Sequence, residues 1–186
     1  MVPLGTPAPD FALPEPASGR TVRLADLTGK ALVVVFISNH CPFVQHLRDG
    51  LAAFGRDALA QGAAMVAIGA NSLLTHPQDG PEHIPGEVRA AGYAFPYLFD
   101  ATQATAKAYR AACTPDFFLF DGTRRLAYRG QFDDSRPGNG IPVSGQSLRD
   151  ALTLVLAGKP VPEPQRPSIG CNIKWSPGHE PSHLGR

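Results

Sequence analysis

The chain has 186 residues, 43% of them hydrophobic and 18% charged, with a formal net charge of +1 at pH 7. That is enough material to bury one full core, and it is the make-up of an ordinary globular domain. The interspersed, nearly balanced charge excludes an electrostatic nucleic-acid or membrane surface, and 19 glycines with 19 prolines demand many turns.

The first ten residues have neither a basic start nor an apolar core, so no signal peptide is expected there. A short strand is predicted over 22–24, and Thr28-Gly29-Lys30 punctuates the approach to the next element. Residues 31–37 are continuously apolar and β-branched, the pattern of a strand covered on both faces. This run is far too short to cross a bilayer. After residues 38–42, apolar positions at Phe43, Leu47, Leu51, Phe54 and Ala58 recur every three or four residues and predict a helix ending near Gly62. Residues 63–68 read as a second buried strand, which completes a βαβ unit.

Residues 71–85 are rich in Pro, Gly and His and read as an inserted loop. A short helix is predicted from Pro85 to Gly92, a short strand over 95–99 and an Ala-rich helix over 102–112. Residues 116–120 and 126–131, with Asp121-Gly122 between them, form a predicted β-hairpin. Ser147-Leu-Arg-Asp150 resembles a capping box opening a last helix, with Leu148, Leu152 and Val155 inward and Gly158 past its end. A βαβ unit, a helix, an antiparallel hairpin and a closing helix make an α/β fold of thioredoxin-like topology, a central mixed sheet flanked by helices. It carries an N-terminal extension, an inserted loop and helix, and a C-terminal tail. Residues 1–158 are read as the domain, and 159–186 as a proline-rich linker and tail packed on it. Apolar Ile169, Ile173 and Trp175 imply that the tail docks on something apolar.

Cys41 follows the buried strand and stands directly before a helix that opens with Pro42. Open α/β sheets put their sites at that edge. A cysteine at a helix N-terminus meets free backbone N–H groups and the positive end of the dipole, which favours the thiolate. A free cysteine is commonly a small buried hydrophobe, but the strand-to-helix turn weighs against that reading. A protonated His40 would add to the effect. Thr114-Pro115, just ahead of a strand, lies opposite the Cys41 loop in this topology. If that peptide bond is cis, the Thr114 backbone is left to pair with an extended substrate. Three cysteines cannot all pair in one chain, which favours a cytoplasmic protein with a working thiol.

The opening Gly5-Thr-Pro-Ala-Pro-Asp-Phe-Ala-Leu13 resembles that of the redoxin superfamily, which includes the alkyl hydroperoxide reductase and thiol-specific antioxidant proteins. Ser38-Asn-His-Cys-Pro-Phe-Val44, Cys113-Thr-Pro-Asp-Phe-Phe-Leu-Phe120, Asp133-Asp-Ser-Arg136 and Ser168-Ile-Gly-Cys-Asn-Ile-Lys-Trp175 resemble its peroxiredoxin-like, thioredoxin-family bacterial members. Set against the thioredoxin Cys-x-x-Cys, Ser38-x-x-Cys41 lacks the first, attacking cysteine. Set against the peroxiredoxin Thr-x-x-Cys, it keeps a hydroxyl that would orient attack. The peroxiredoxin arginine has no counterpart near Thr114 and Pro115, and Arg136 is at most a substitute.

The resemblance implies a thiol-dependent oxidoreductase in which the Cys41 thiolate attacks a small peroxide, or a protein or small-molecule disulfide. Cys113 or Cys171 would resolve it, or an external thiol reductant would. Ser38, Thr114 and Pro115 complete the expected site. Two other readings stay open: a disulfide reductase or isomerase pairing Cys41 with Cys113, and a non-catalytic module holding a peptide along the Thr114-Pro115 edge. No organic cofactor is required by any of these. His40, Cys41 and His46 lack the paired spacing of a zinc site, and His179 and His183 fall in a tail too rich in Pro and Gly to be helical. No nucleic-acid or membrane partner is expected.

Overall fold

The structure, a computed structural model, describes residues 2–181. Two strands, β1 (Ala12–Glu15) and β2 (Arg20–Arg23), open the chain as an antiparallel hairpin that sets Ala12 opposite Arg23. The sequence pattern revealed only the second of these, and Leu24 belongs instead to a tight helical turn ending at Asp26. Four residues are too few to display a period, so β1 is visible only through its pairing.

β3 (Leu32–Phe36) is buried at every position, and α1 (Pro42–Ala60) follows it. The alternating side chains of β3 divide the interior. Val33 and Val35 join Val44, Leu47, Leu51 and Phe54 of α1 in one core cluster, while Leu32, Val34 and Phe36 join Tyr109 and Phe118 in another. Each such side chain contributes about 1.5–3 kcal/mol by leaving water. β4 (Ala64–Gly69) runs parallel to β3, with Leu32 opposite Ala64 and Phe36 opposite Ile68.

The inserted segment contains a short helical turn at Pro77–Asp79, and Asn71, Ser72 and Asp79 are buried within it. α2 (Ile84–Ala91) stops on Gly92, whose left-handed φ of 67° returns its N–H to Val88 O. β5 (Tyr97–Phe99) lies parallel to β4. α3 (Ala104–Ala108) is shorter than expected, because Arg110 takes a φ of 51° that a right-handed helix cannot continue through.

β6 (Cys113–Thr114) stands apart from the main sheet, while β7 (Asp116–Phe120) is antiparallel to both β3 and β8 (Leu126–Gly130). The central sheet therefore runs β5-β4-β3-β7-β8, the thioredoxin-like arrangement. α4 (Gln146–Leu156) closes it, but not through the expected capping box at Ser147. Gly145 is the cap residue, Asp133 Oδ2 accepts the N–H groups of Ser144 at 2.7 Å and Gly145 at 2.6 Å, and Ser147 Oγ accepts from Gln131 Nε2 instead. The tail adds β9 (Cys171–Asn172), antiparallel to β6. No described helix is long and apolar enough to cross a membrane.

Candidate active site

The central strand β3 delivers the chain to the mouth of α1, where Cys41 is the cap residue and Pro42 the first helical one. Proline suits that place, since its missing N–H would have no helical partner there. Cys41 has extended backbone angles (φ −68°, ψ 120°), and its carbonyl accepts the first helical N–H, from Gln45, at 2.9 Å. Its side chain is fully buried, and the thiol donates to Thr114 O at 3.0 Å.

Two opposed influences act on that thiol. Burial, the largest single contribution, pushes it up. Hydrogen bonds from the Thr114 side chain, the Val44 and Cys171 backbone amides and the Cys171 side chain pull it down, and together they leave Cys41 below the ordinary thiol value. Cys171 moves the opposite way, up to about 11, through burial and the hydrogen bond it gives Cys41. The pair thus divides its roles, with Cys41 the favoured thiolate and Cys171 the favoured thiol.

The strand pairing is what brings Cys171 here. Thr114 is register partner of Cys171 and Cys113 of Asn172. The Thr114-Pro115 bond is cis, and the Thr114 backbone, expected to await a substrate, is paired with the chain's own tail. Gly170 is needed for the fit, because a Cβ there would collide with Thr114 O. Side chains beyond β6 hold the tail at both ends. Ser168 Oγ donates to Gly130 O at 2.6 Å, and Lys174 N donates to Asn71 Oδ1 at 2.9 Å. Gln103 Nε2 donates to Lys174 O at 2.9 Å, and Ser176 N to Gln103 Oε1 at 2.8 Å. Ile173 is buried and Trp175 packs on the second core cluster, but Ile169 is exposed.

The remaining expected residues fall into place differently. The Ser38 hydroxyl is buried and lies 3.5 Å from the Thr114 hydroxyl, so it contacts the wall of the site. Cys113 directs its thiol at Pro115 O, 3.5 Å away, and lines a cavity of about 260 Å³ with Asp116, Arg129 and Ser168. Burial, then the charges of Asp116, Cys41 and Cys171, push the Cys113 thiol well above its ordinary value. Arg136 donates to Asp133 O, Ser135 O and Gln131 Oε1, each at 2.6 Å, and so braces its own loop. Among the described residues no group of three or more His, Cys, Asp or Glu is placed to hold a metal, and His183 lies outside them.

Helix position also alters the motif reading. A cysteine at a cap is the one whose thiolate the free N–H groups favour, hence the attacking one. The position three residues on, in the first turn, is Val44. The motif therefore reads Cys41-Pro42-Phe43-Val44, and the sulfur it lacks is the second rather than the first.

Sequence reasoning missed Asp79. Its Oδ1 accepts from Asn39 N at 2.9 Å and His40 N at 3.3 Å, while Oδ2 meets His40 Nδ1 at 2.6 Å and Asn71 Nδ2 at 2.8 Å. This one carboxyl, 4% exposed, ties the loop leading to Cys41 to the same Asn71 that anchors the tail. A lone Asp in a Pro- and Gly-rich loop carries no periodic signal.

The family profile described as the AhpC/TSA family matches residues 4–129. A crystal structure of an uncharacterized conserved protein from Geobacillus kaustophilus is 52% identical, with 96% of this chain and 95% of that chain covered and a TM-score of 0.93. A hypothetical protein from Sinorhizobium meliloti 1021 is 55% identical, over 96% and 97%, also with a TM-score of 0.93. A putative thiol:disulfide interchange protein DsbE from Chlorobium tepidum shares the fold at 21% identity, over 84% and 99%, with a TM-score of 0.65. No curated protein matches the chain.

Proposed function

For a chain that belongs to the AhpC/TSA family, we propose a thiol-dependent oxidoreductase in which Cys41 attacks and Cys171 resolves. The observation that carries this is a convergence on one sulfur: the thiol of the cap cysteine lies 3.0 Å from Thr114 O, and Cys171 is the register partner of that same Thr114. With a peroxide, the Cys41 thiolate takes the terminal oxygen, the O–O bond breaks, and the alkoxide or hydroxide leaves with a proton. Cys171 then attacks the sulfenic sulfur, and water departs. With a disulfide, Cys41 takes one sulfur and releases the other as thiolate, and Cys171 attacks the Cys41 sulfur of the mixed disulfide. Either route ends in a Cys41–Cys171 disulfide, which an external thiol reductant resets. Thr114 and Pro115 form the wall that faces the substrate, and Ser38 braces Thr114.

Cys113 is a weaker partner for Cys41 than Cys171 is, since its thiol is the more suppressed and is engaged with Pro115 O. Three free thiols suit a reducing compartment such as the cytoplasm. The test is to treat the reduced protein with hydrogen peroxide or with a disulfide and map the cysteines by mass spectrometry. A Cys41–Cys171 bond, absent in Cys41→Ser, is the expected product. Oxidation of Cys41 no faster than that of free cysteine by either reagent would sink the reading.

A further inference from the structure

The cavity of about 260 Å³ that Cys113 lines is separate from the Cys41 site. The neighbouring Thr114 side chain lies against Ser38, so β6 stands between the two, and none of Ser38, Cys41 and Cys171 lines the cavity. Val2, Ala112, Phe118 and Pro167 make its apolar wall, and Arg110, Arg129, Asp116 and Ser168 its polar one. Two of these polar groups are already engaged. Asp116 Oδ2 accepts from Ala112 N at 3.0 Å, and Ser168 Oγ donates to Gly130 O at 2.6 Å. The arginines are less well matched. Arg129 Nη1 donates to Gln165 Oε1 at 3.2 Å and lies 3.7 Å from Glu163, a side chain 60% exposed, but its Nε is buried without an acceptor. A buried N–H left unpaired is costly, and a ligand oxygen would relieve it. Among the described residues Arg110 has no ion-pair partner. Its φ of 51° is a left-handed conformation that favours glycine, yet the position carries a long cationic side chain. Glycine would hold that turn without strain, and the guanidinium is what arginine adds.

We infer that this cavity is a binding site for a small monocarboxylic acid with an apolar body, its carboxylate held by Arg110 and Arg129 and its chain laid against Ala112 and Phe118. Guanidinium groups meet a carboxylate with paired N–H donors in fixed geometry, which orients the head of the ligand. The charge follows from the lining. Two guanidiniums face one carboxyl, that of Asp116, and one positive charge is left to be matched. Glu163 stands in water at the rim, where its pull on Arg129 is screened. A phosphate dianion would overmatch the remaining charge and would leave the apolar wall uncovered. At protein packing density the volume takes a short acyl chain or a single ring, whereas a long-chain fatty acid overfills it. The site stands whether or not Cys41 is redox-active, since no residue of that centre lines it.

The test is isothermal titration calorimetry on the reduced full-length protein with acetate, butyrate and hexanoate, and with hexanol and inorganic phosphate beside them. Hexanoate is expected to bind one to one, each added methylene of the series tightening binding by about threefold to fourfold. Hexanol and phosphate are expected to bind at least about tenfold more weakly than hexanoate. Arg110→Gly removes one guanidinium at a position whose backbone suits glycine, so the fold survives, and thermal unfolding checks it. Hexanoate affinity is expected to fall at least about tenfold in that variant, and as far in Arg129→Met. Unchanged affinity in both variants would overturn the site. So would the absence of saturable hexanoate binding, hexanol binding as tightly as hexanoate, or phosphate binding more tightly.

Discussion

Thr114 and Cys171 face one another across a two-residue antiparallel ladder, and the carbonyl of the first accepts the thiol of Cys41 at 3.0 Å. Three chain segments therefore converge on one sulfur: the mouth of α1, the strand before Pro115 and the tail. Each prediction below perturbs one of these approaches.

Removing the tail thiol weakens the Cys41 thiolate. The Cys171 side chain is one of the donors that lower the Cys41 pKa, so Cys171→Ser keeps a hydroxyl donor and Cys171→Ala keeps none. Loss of a donor raises the pKa, and the ionised fraction at pH 7 falls. In Cys171→Ala, alkylation of Cys41 at pH 7 is expected to slow by about threefold to tenfold, since one pKa unit is a tenfold change in thiolate below the pKa. A pH series with iodoacetamide measures it. An unshifted midpoint would show that the two sulfurs do not interact.

Gly170 governs how closely β9 approaches β6. In Gly170→Val the new side chain meets Thr114 O, and the strand must move off. Formation of the Cys41–Cys171 disulfide is expected to slow, while alkylation of Cys41, read at a pH where the thiol is fully ionised and the lost Cys171 donors no longer count, speeds up by about tenfold or more as its cover lifts. Quenched-flow trapping with mass spectrometry reads both. Parallel slowing of the two would instead point to general distortion of the site.

Asp79 holds the loop ahead of Cys41. Replacing it by alanine leaves the Asn39 and His40 amides and the Asn71 side chain without their acceptor. A buried donor left unpaired costs about 1–3 kcal/mol, so Asp79→Ala is expected to lose about 2 kcal/mol or more in urea unfolding. Asp79→Asn keeps an acceptor oxygen and loses less. Reaction of Cys41 is expected to slow in the same order, because the loop that aims it is loosened.

Asp116 predicts a distinct pH dependence of stability. Burial raises its carboxyl to about 6 from 3.8, against the opposing hydrogen bond from Ala112 N. The folded state therefore holds the proton more tightly than the unfolded one. The stabilising contribution is complete below pH 3.8 and is lost as the pH rises to about 6. Relative to Asp116→Asn, the wild-type protein is expected to gain about 2 kcal/mol between pH 6 and pH 4. Denaturant titrations of both proteins across that range supply the difference. A difference that stays constant with pH would place the carboxyl in a wetter setting.

The parts of this architecture that sequence reveals are those with a period. Residues 31–37 and 63–68 announce β3 and β4 by unbroken β-branched character, and Leu47, Leu51 and Phe54 mark the inward face of α1. Cys41 stands out because proline and the end of a buried strand bracket it. What stays hidden is held by pairing at a distance. β9 is two residues long and is defined only by its pairing with β6, where Thr114 lies 57 positions ahead of its partner Cys171. Asp79 reaches Asn39 and His40 from an irregular loop, and the cap of α4 depends on Asp133 from outside the helix. Cys171 was legible as a cysteine in a tail with apolar neighbours, but its place against Cys41 belongs to the fold.

The pairing of Thr114 with Cys171 also sets an order of events in time. Synthesis proceeds from the N-terminus, so Cys41, α1 and the sheet strands through β8 leave the ribosome before residue 171 does. Until then nothing lies along β6, and the nascent chain carries an uncovered, helix-capped thiol. Protection of Cys41 therefore waits for residues 170–172. A pause in translation before them would leave that sulfur open to mispairing.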